Sequence, residues 1–221
     1  MRSLRLVSGL AALTLAGTLG LAACGSSQES TPASDATMAD GQMADDEAMA
    51  DDGEAAFTEY PIGEDQEISS GGTPQINVAL VYFQPVDMEP AGSSGLAASE
   101  SSFHIEADIS ALPSNTLGYP EGSFIPGLTV TYKIVDAATG EVANNGAAEG
   151  TFMQMNASDG PHYGANVALP QDGTYNIMIG VSSPEEAGWV LHVDPETGVT
   201  GSFWEATELT WKNWEYTVQE W

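Results

Sequence analysis

The run Phe103-His104-Ile105-Glu106-Ala107-Asp108-Ile109-Ser110 alternates apolar and polar side chains at every step. A strand sends successive side chains to opposite faces, so Phe103, Ile105, Ala107 and Ile109 line one face while His104, Glu106 and Asp108 share the other. Similar patterning recurs on both sides of this run. Residues 75–84 (QINVALVYFQ) form a largely apolar stretch that reads as a central strand. Leu128, Val130, Tyr132 and Ile134 share a face, as do Tyr175, Ile177, Ile179 and Val181, and residues 204–221 read as one or two late strands. No stretch carries a convincing 3.6-residue period. About seven strands punctuated by Gly, Pro, Asn and Asp predict an all-β fold, an antiparallel, immunoglobulin-like β-sandwich over residues 57–221. The segments 91–98 and 113–127 read as surface connections.

The 221 residues carry 4 Lys+Arg against 32 Asp+Glu, a net charge of −28. Clustered basic residues are what nucleic-acid backbones and anionic lipid surfaces require, so both are excluded as partners of a basic patch. Cations are favoured instead. A single cysteine excludes a disulfide framework and any zinc site built on several thiolates. That cysteine, Cys24, follows a basic start (Arg2, Arg5) and an apolar run over 6–23 that ends Leu21-Ala22-Ala23. The three-part design is that of a secretory signal, and Leu-Ala-Ala-Cys resembles the lipobox of bacterial lipoproteins, whose cysteine is lipidated. The alternative is an uncleaved membrane anchor, and either places the domain outside the cytoplasmic membrane. Residues 1–23 are thus expected to be a lipoprotein signal peptide and 24–56 a disordered acidic tether, because 25–56 lack Val, Ile and Leu altogether. The tether repeats Met-Ala-Asp at 38, 43 and 49, either a plain spacer or a metal-gathering arm.

The chain has three histidines, His104, His162 and His192. His104, Glu106 and Asp108 form either a solvated strand face or a metal-competent one. His162 follows the turn sequence Ser158-Asp159-Gly160-Pro161, and a hairpin there would bring Met155 and His162 near each other. Met155 is otherwise a core filler, and His192, in an apolar stretch, a hydrogen-bonded structural residue. Spacing alone does not join these pieces.

The runs FHIEAD (103–108), GTFMQMNASDGPHYG (150–164), DPETGV (194–199) and VYFQPVDMEP (81–90) closely resemble the periplasmic iron-transport proteins of the FetP type, over residues 57–218. The resemblance implies an immunoglobulin-like homodimer that binds copper, with an iron or manganese site nearby, and that serves an FTR-type iron permease. It places the copper ligands on His104, Met155, His162 and His192, with Glu106 at or beside the metal. The chain departs from the family at Val190, where relatives commonly carry a further histidine. Imidazole and thioether suit copper, and the absence of a free thiolate excludes a blue-copper electron carrier. Asp108, Glu89, Glu64 and Glu59 would extend an acidic funnel. The expected role is binding and delivery of iron rather than catalysis, with copper either structural or the oxidant of Fe²⁺. Two other readings are a zinc hydrolase with Glu106 as base, and a metal-free adhesion or scaffold lipoprotein that uses Trp204, Trp211, Trp214 and Trp221 as an interface.

Overall fold

A computed structural model of the chain describes residues 58–92 and 95–221. The expected signal peptide, Cys24 and the acidic tether lie outside the described residues. Ten strands follow in order: β1 (Tyr60–Pro61), β2 (Gln66–Ser70), β3 (Thr73–Phe83), β4 (Phe103–Ala111), β5 (Val130–Asp136), β6 (Glu149–Thr151), β7 (Met153–Ala157), β8 (Gly160–Val167), β9 (Gly173–Val181) and β10 (Thr207–Tyr216). One six-stranded sheet runs β1-β3-β4-β8-β7, with β2 also paired to β3, and a four-stranded sheet runs β10-β9-β5-β6. Every strand pairing is antiparallel. The fold is an all-β sandwich, as the alternation predicts.

The inward face of β4 is apolar as expected: Phe103, Ile105, Ala107 and Ile109 are all buried. They join Ile76, Val78 and Leu80 of β3, and Ile134, Ile177 and Ile179 of the second sheet, in one core cluster. Burial of each large aliphatic side chain stabilises by about 1.5–3 kcal/mol, which fixes which face of β4 turns outward. A one-residue slip would exchange the two faces, so the core sets the position of His104 and Glu106.

One expectation needs correction. The 113–127 segment is not a mere surface connection: Leu117 and Ile125 sit in the core. The buried Gln75 pins it, its Oε1 accepting from the Thr116 N–H at 2.9 Å and its backbone oxygen from Asn115 Nδ2 at 2.9 Å. The late tryptophans are mostly strand and core residues, with Trp221 left 47% exposed. Trp204 and Trp211 are buried and Trp214 packs against the core. A register shift between Trp211 and Trp214, with Asn213 at φ 57°, keeps β10 a single strand. The shift turns Trp214 and Tyr216 inward where simple alternation would have turned them out.

Tyr163, on the inward face of β8, ties that strand to the 125–128 loop. Its hydroxyl donates to the Ile125 oxygen at 2.8 Å and accepts from the Leu128 N–H at 3.0 Å, and burial pushes its pKa up to about 12. Tyr163→Phe leaves two backbone groups without that partner, and urea unfolding should show a loss of about 1–3 kcal/mol. An unchanged midpoint would mean that solvent replaces the hydroxyl without cost.

Candidate metal centre

The outer face of the larger sheet carries the site, and strand register assembles it. Across the sheet, Phe83 pairs with His104 and His104 with Asn166, while Val81 pairs with Glu106 and Glu106 with Gly164. The β7–β8 hairpin then sets Met155 opposite His162 and Met153 opposite Gly164. Side chains of paired residues point the same way. His104, Glu106, His162, Met153 and Met155 therefore project from one face, and all line a single cavity of about 620 Å³.

The floor of this cavity is buried. His104 is 0% exposed, and Glu106 and His162 are 3% each. One carboxylate oxygen of Glu106 lies 2.9 Å from His162 Nε2 and 3.6 Å from His104 Nε2. Neither nitrogen has an aligned hydrogen-bond partner among the described residues. The 2.9 Å contact is thus a close charge approach in which the oxygen lies off the direction of the ring N–H. Ligand atoms of His104, Glu106 and His162 all lie within 4.8 Å of one another. Buried polar atoms are nearly always partnered, so two imidazole nitrogens left over beside one carboxylate mark a place for a cation.

Asn166 decides which nitrogen of His104 faces that place. Its Nδ2 donates to the oxygens of Val86 (2.9 Å) and Leu96 (3.0 Å), which can only accept, so its Oδ1 must be the atom turned to His104 Nδ1 at 3.0 Å. Nδ1 then carries the proton and Nε2 presents its lone pair. Gly164 makes the room. A Cβ at that position would lie 2.5 Å from His104 Nε2.

The two rings titrate in opposite directions. Burial is the main influence on His104 and holds its pKa below the ordinary imidazole value, so it stays neutral. Burial also depresses His162, but Glu106, Asp108 and Asp159 together outweigh it and the net shift is upward. A second carboxylate group adjoins: oxygens of Glu59, Glu106 and Asp159 also lie within 4.8 Å of one another. Desolvation, then Glu106, then other acids raise the pKa of both Glu59 and Asp108, as crowded carboxylates should.

Residues 56–218 match the family model described as Fe2+ transport protein. The chain belongs to that family. It is 38% identical over 173 residues to the 34 kDa membrane antigen of Treponema pallidum, covering 77% of this chain and 80% of the antigen. It is 43% identical over 148 residues to a UPF0423 protein of Brucella abortus, covering 66% and 75%. Copper-reconstituted P19 of Campylobacter jejuni superposes with a TM-score of 0.64 at 41% identity, over 72% of this chain and 97% of P19. FetP of uropathogenic E. coli superposes at 0.65 with 41% identity, over 75% and 100%.

Not every residue expected at the site is there. His192 lies on the loop after β9, its side chain 71% exposed and its Nε2 beside Asp194, and it neither lines the cavity nor joins the cluster. Glu89 lines the cavity, whereas Glu64 does not, and the Glu64 backbone oxygen accepts from Trp211 Nε1. The sequence reading missed Asn166, Gly164 and the carboxylate role of Asp159. A glycine inside a strand signals close approach, which would have flagged Gly164. Asp159 was absorbed into the turn, and Asn166 carries no local signal.

Two outcomes follow for metal binding. Asn166→Leu removes the lock on the His104 tautomer and should weaken metal affinity by about 10–100-fold with the fold intact by circular dichroism. Wild-type affinity in that variant would mean that His104 orients itself. Binding must also displace the proton that Glu106 helps His162 to hold, so affinity should fall as pH is lowered, starting above the ordinary imidazole value of about 6.5. Calorimetry across the neutral to mildly acidic range reads this directly, and a flat profile would argue against imidazole ligation.

Proposed function

We propose that this protein is the extracytoplasmic metal-binding component of a ferrous-iron uptake system, anchored through lipidated Cys24, that presents iron to a membrane permease of the FTR type. Copper is held by His104, His162 and Met155 with Glu106 beside it. The observation that carries this reading is the buried trio: two imidazole nitrogens without an aligned hydrogen bond and a carboxylate within 4.8 Å, in a cavity also lined by Met155. Imidazole with thioether favours copper over oxygen-seeking cations. The copper-reconstituted state of P19, 41% identical, agrees with that assignment.

Fe²⁺ is a harder cation and suits the carboxylate group of Glu59, Glu106 and Asp159. Glu106 belongs to both groups, so the two metals would be linked through one side chain. Copper bound there would supply a one-electron acceptor for Fe²⁺. The net charge of −28 raises the local concentration of any cation. His192 is exposed and apart from the in-chain cluster, so we assign it as the ligand that a second copy of the chain contributes in a homodimer. The protein acts by binding and transfer, not as a hydrolase.

Anaerobic titration of copper and Fe²⁺ into wild type, His162→Ala and Glu106→Gln tests the assignment. His162→Ala should lose more than about tenfold in copper affinity and keep Fe²⁺ binding, whereas Glu106→Gln should weaken both. Glu106→Gln with both affinities intact, or a wild type that takes up neither metal, would refute it.

A further inference from the structure

Methionine in a folded domain is usually a flexible filler of the core. Here Met88, Met153 and Met155 all line one cavity, and none of them belongs to the hydrophobic core cluster. Met153 is 40% exposed, so it reaches the solvent-facing side of the cavity. Met155 pairs with His162 and is taken up by the site already described. Met88 and Met153 have no role there. The cavity, about 620 Å³, is also far larger than one ion needs, given that a water molecule claims ~30 Å³.

Met153 and Met155 sit two residues apart on the same face of β7, a rise of roughly 7 Å along the strand. Met88 comes from the segment after β3, whose Val86 is bonded through both backbone groups to Asn166 and so is fixed to the floor of the cavity. We propose that Met88 and Met153 form a second, thioether-only site at the mouth of this cavity, which takes a soft monovalent cation, Cu(I) or its analogue Ag(I), and passes it to Met155. The proposal rests on reading the His/Met floor as a copper centre and adds the route by which copper reaches it. A thioether is neutral and soft, so it discriminates against Fe²⁺ and has no proton to lose. Asp87 and Glu89, on the same wall, draw in positive charge. Glu59 and Asp159 do not line this cavity, so of the hard-oxygen group only Glu106 reaches it. Transfer is ligand exchange. The sulfur of Met155 binds as one mouth sulfur leaves, and no electron moves in that step; the proton on His162 leaves as the ion settles against the imidazoles, and the Cu(I) so delivered would accept an electron from Fe²⁺ only after a one-electron oxidant such as dioxygen takes it to Cu(II).

Full-chain protein with ¹³C-labelled methionine ε-methyl groups, titrated with Ag(I) at neutral pH, tests this. The Met88 and Met153 signals should shift together on one saturation curve, with Met178 as an unshifted reference. Met88→Leu and Met153→Leu should each weaken that step at least about tenfold and leave the Cu(II) electron paramagnetic resonance spectrum of the wild type unchanged. Ag(I) that moves only Met155 or the tether methionines Met38, Met43 and Met49 would overturn the proposal. So would Met88 and Met153 titrating independently. A Cu(II) spectrum without imidazole nitrogen couplings, with Met88 and Met153 still shifting together, would overturn the copper floor and leave the thioether site standing.

Discussion

Glu106 is a carboxylate almost cut off from water and set against two imidazole nitrogens that have no aligned partner among the described residues. Unpaired buried polar atoms cost about 1–3 kcal/mol each, and a buried charge costs more. An isolated carboxylate there would be strongly destabilising, so something positive must sit beside it. Without metal, a proton on His162 does this, which is why that ring holds its proton above the ordinary value. A metal ion takes the place of the proton. The site is best understood as a cation-shaped gap in an otherwise satisfied sheet face.

That gap exists because the core dictates strand register. β4 buries its apolar alternation, β8 pairs beside it, and the β7 hairpin adds an edge, so side chains from three strands meet on the reverse face. Gly164 leaves space for the His104 ring, and Asn166 links that ring to two backbone carbonyls of the covering segment. The sheet therefore sets ligand position, and the cover sets ligand tautomer.

Much of this was legible in the sequence where the signal is local. Period-2 alternation places β4, β5 and β9, a continuous apolar run places β3, and the Ser-Asp-Gly-Pro turn foretells that Met155 meets His162. The pairing of β4 with β8 joins residues about sixty positions apart and leaves no local trace, so only family resemblance connected His104 to His162. Strands β1 and β6 are two and three residues long and exposed, too short for a period to emerge. The bulge at Asn213 breaks the alternation of β10, and Asn166 works through backbone atoms that no side-chain pattern encodes. His192 was expected among the ligands and instead lies on an exposed loop, apart from the cluster.

Two chemistries adjoin, nitrogen and sulfur in the cavity and oxygen beside it, with Glu106 common to both. The most direct measurement is X-ray absorption at the copper edge of the loaded protein. The account predicts a first shell of imidazole nitrogens with one thioether sulfur from Met155, and the sulfur contribution lost in Met155→Leu. A shell of oxygen alone, or a sulfur contribution that survives Met155→Leu, would contradict it.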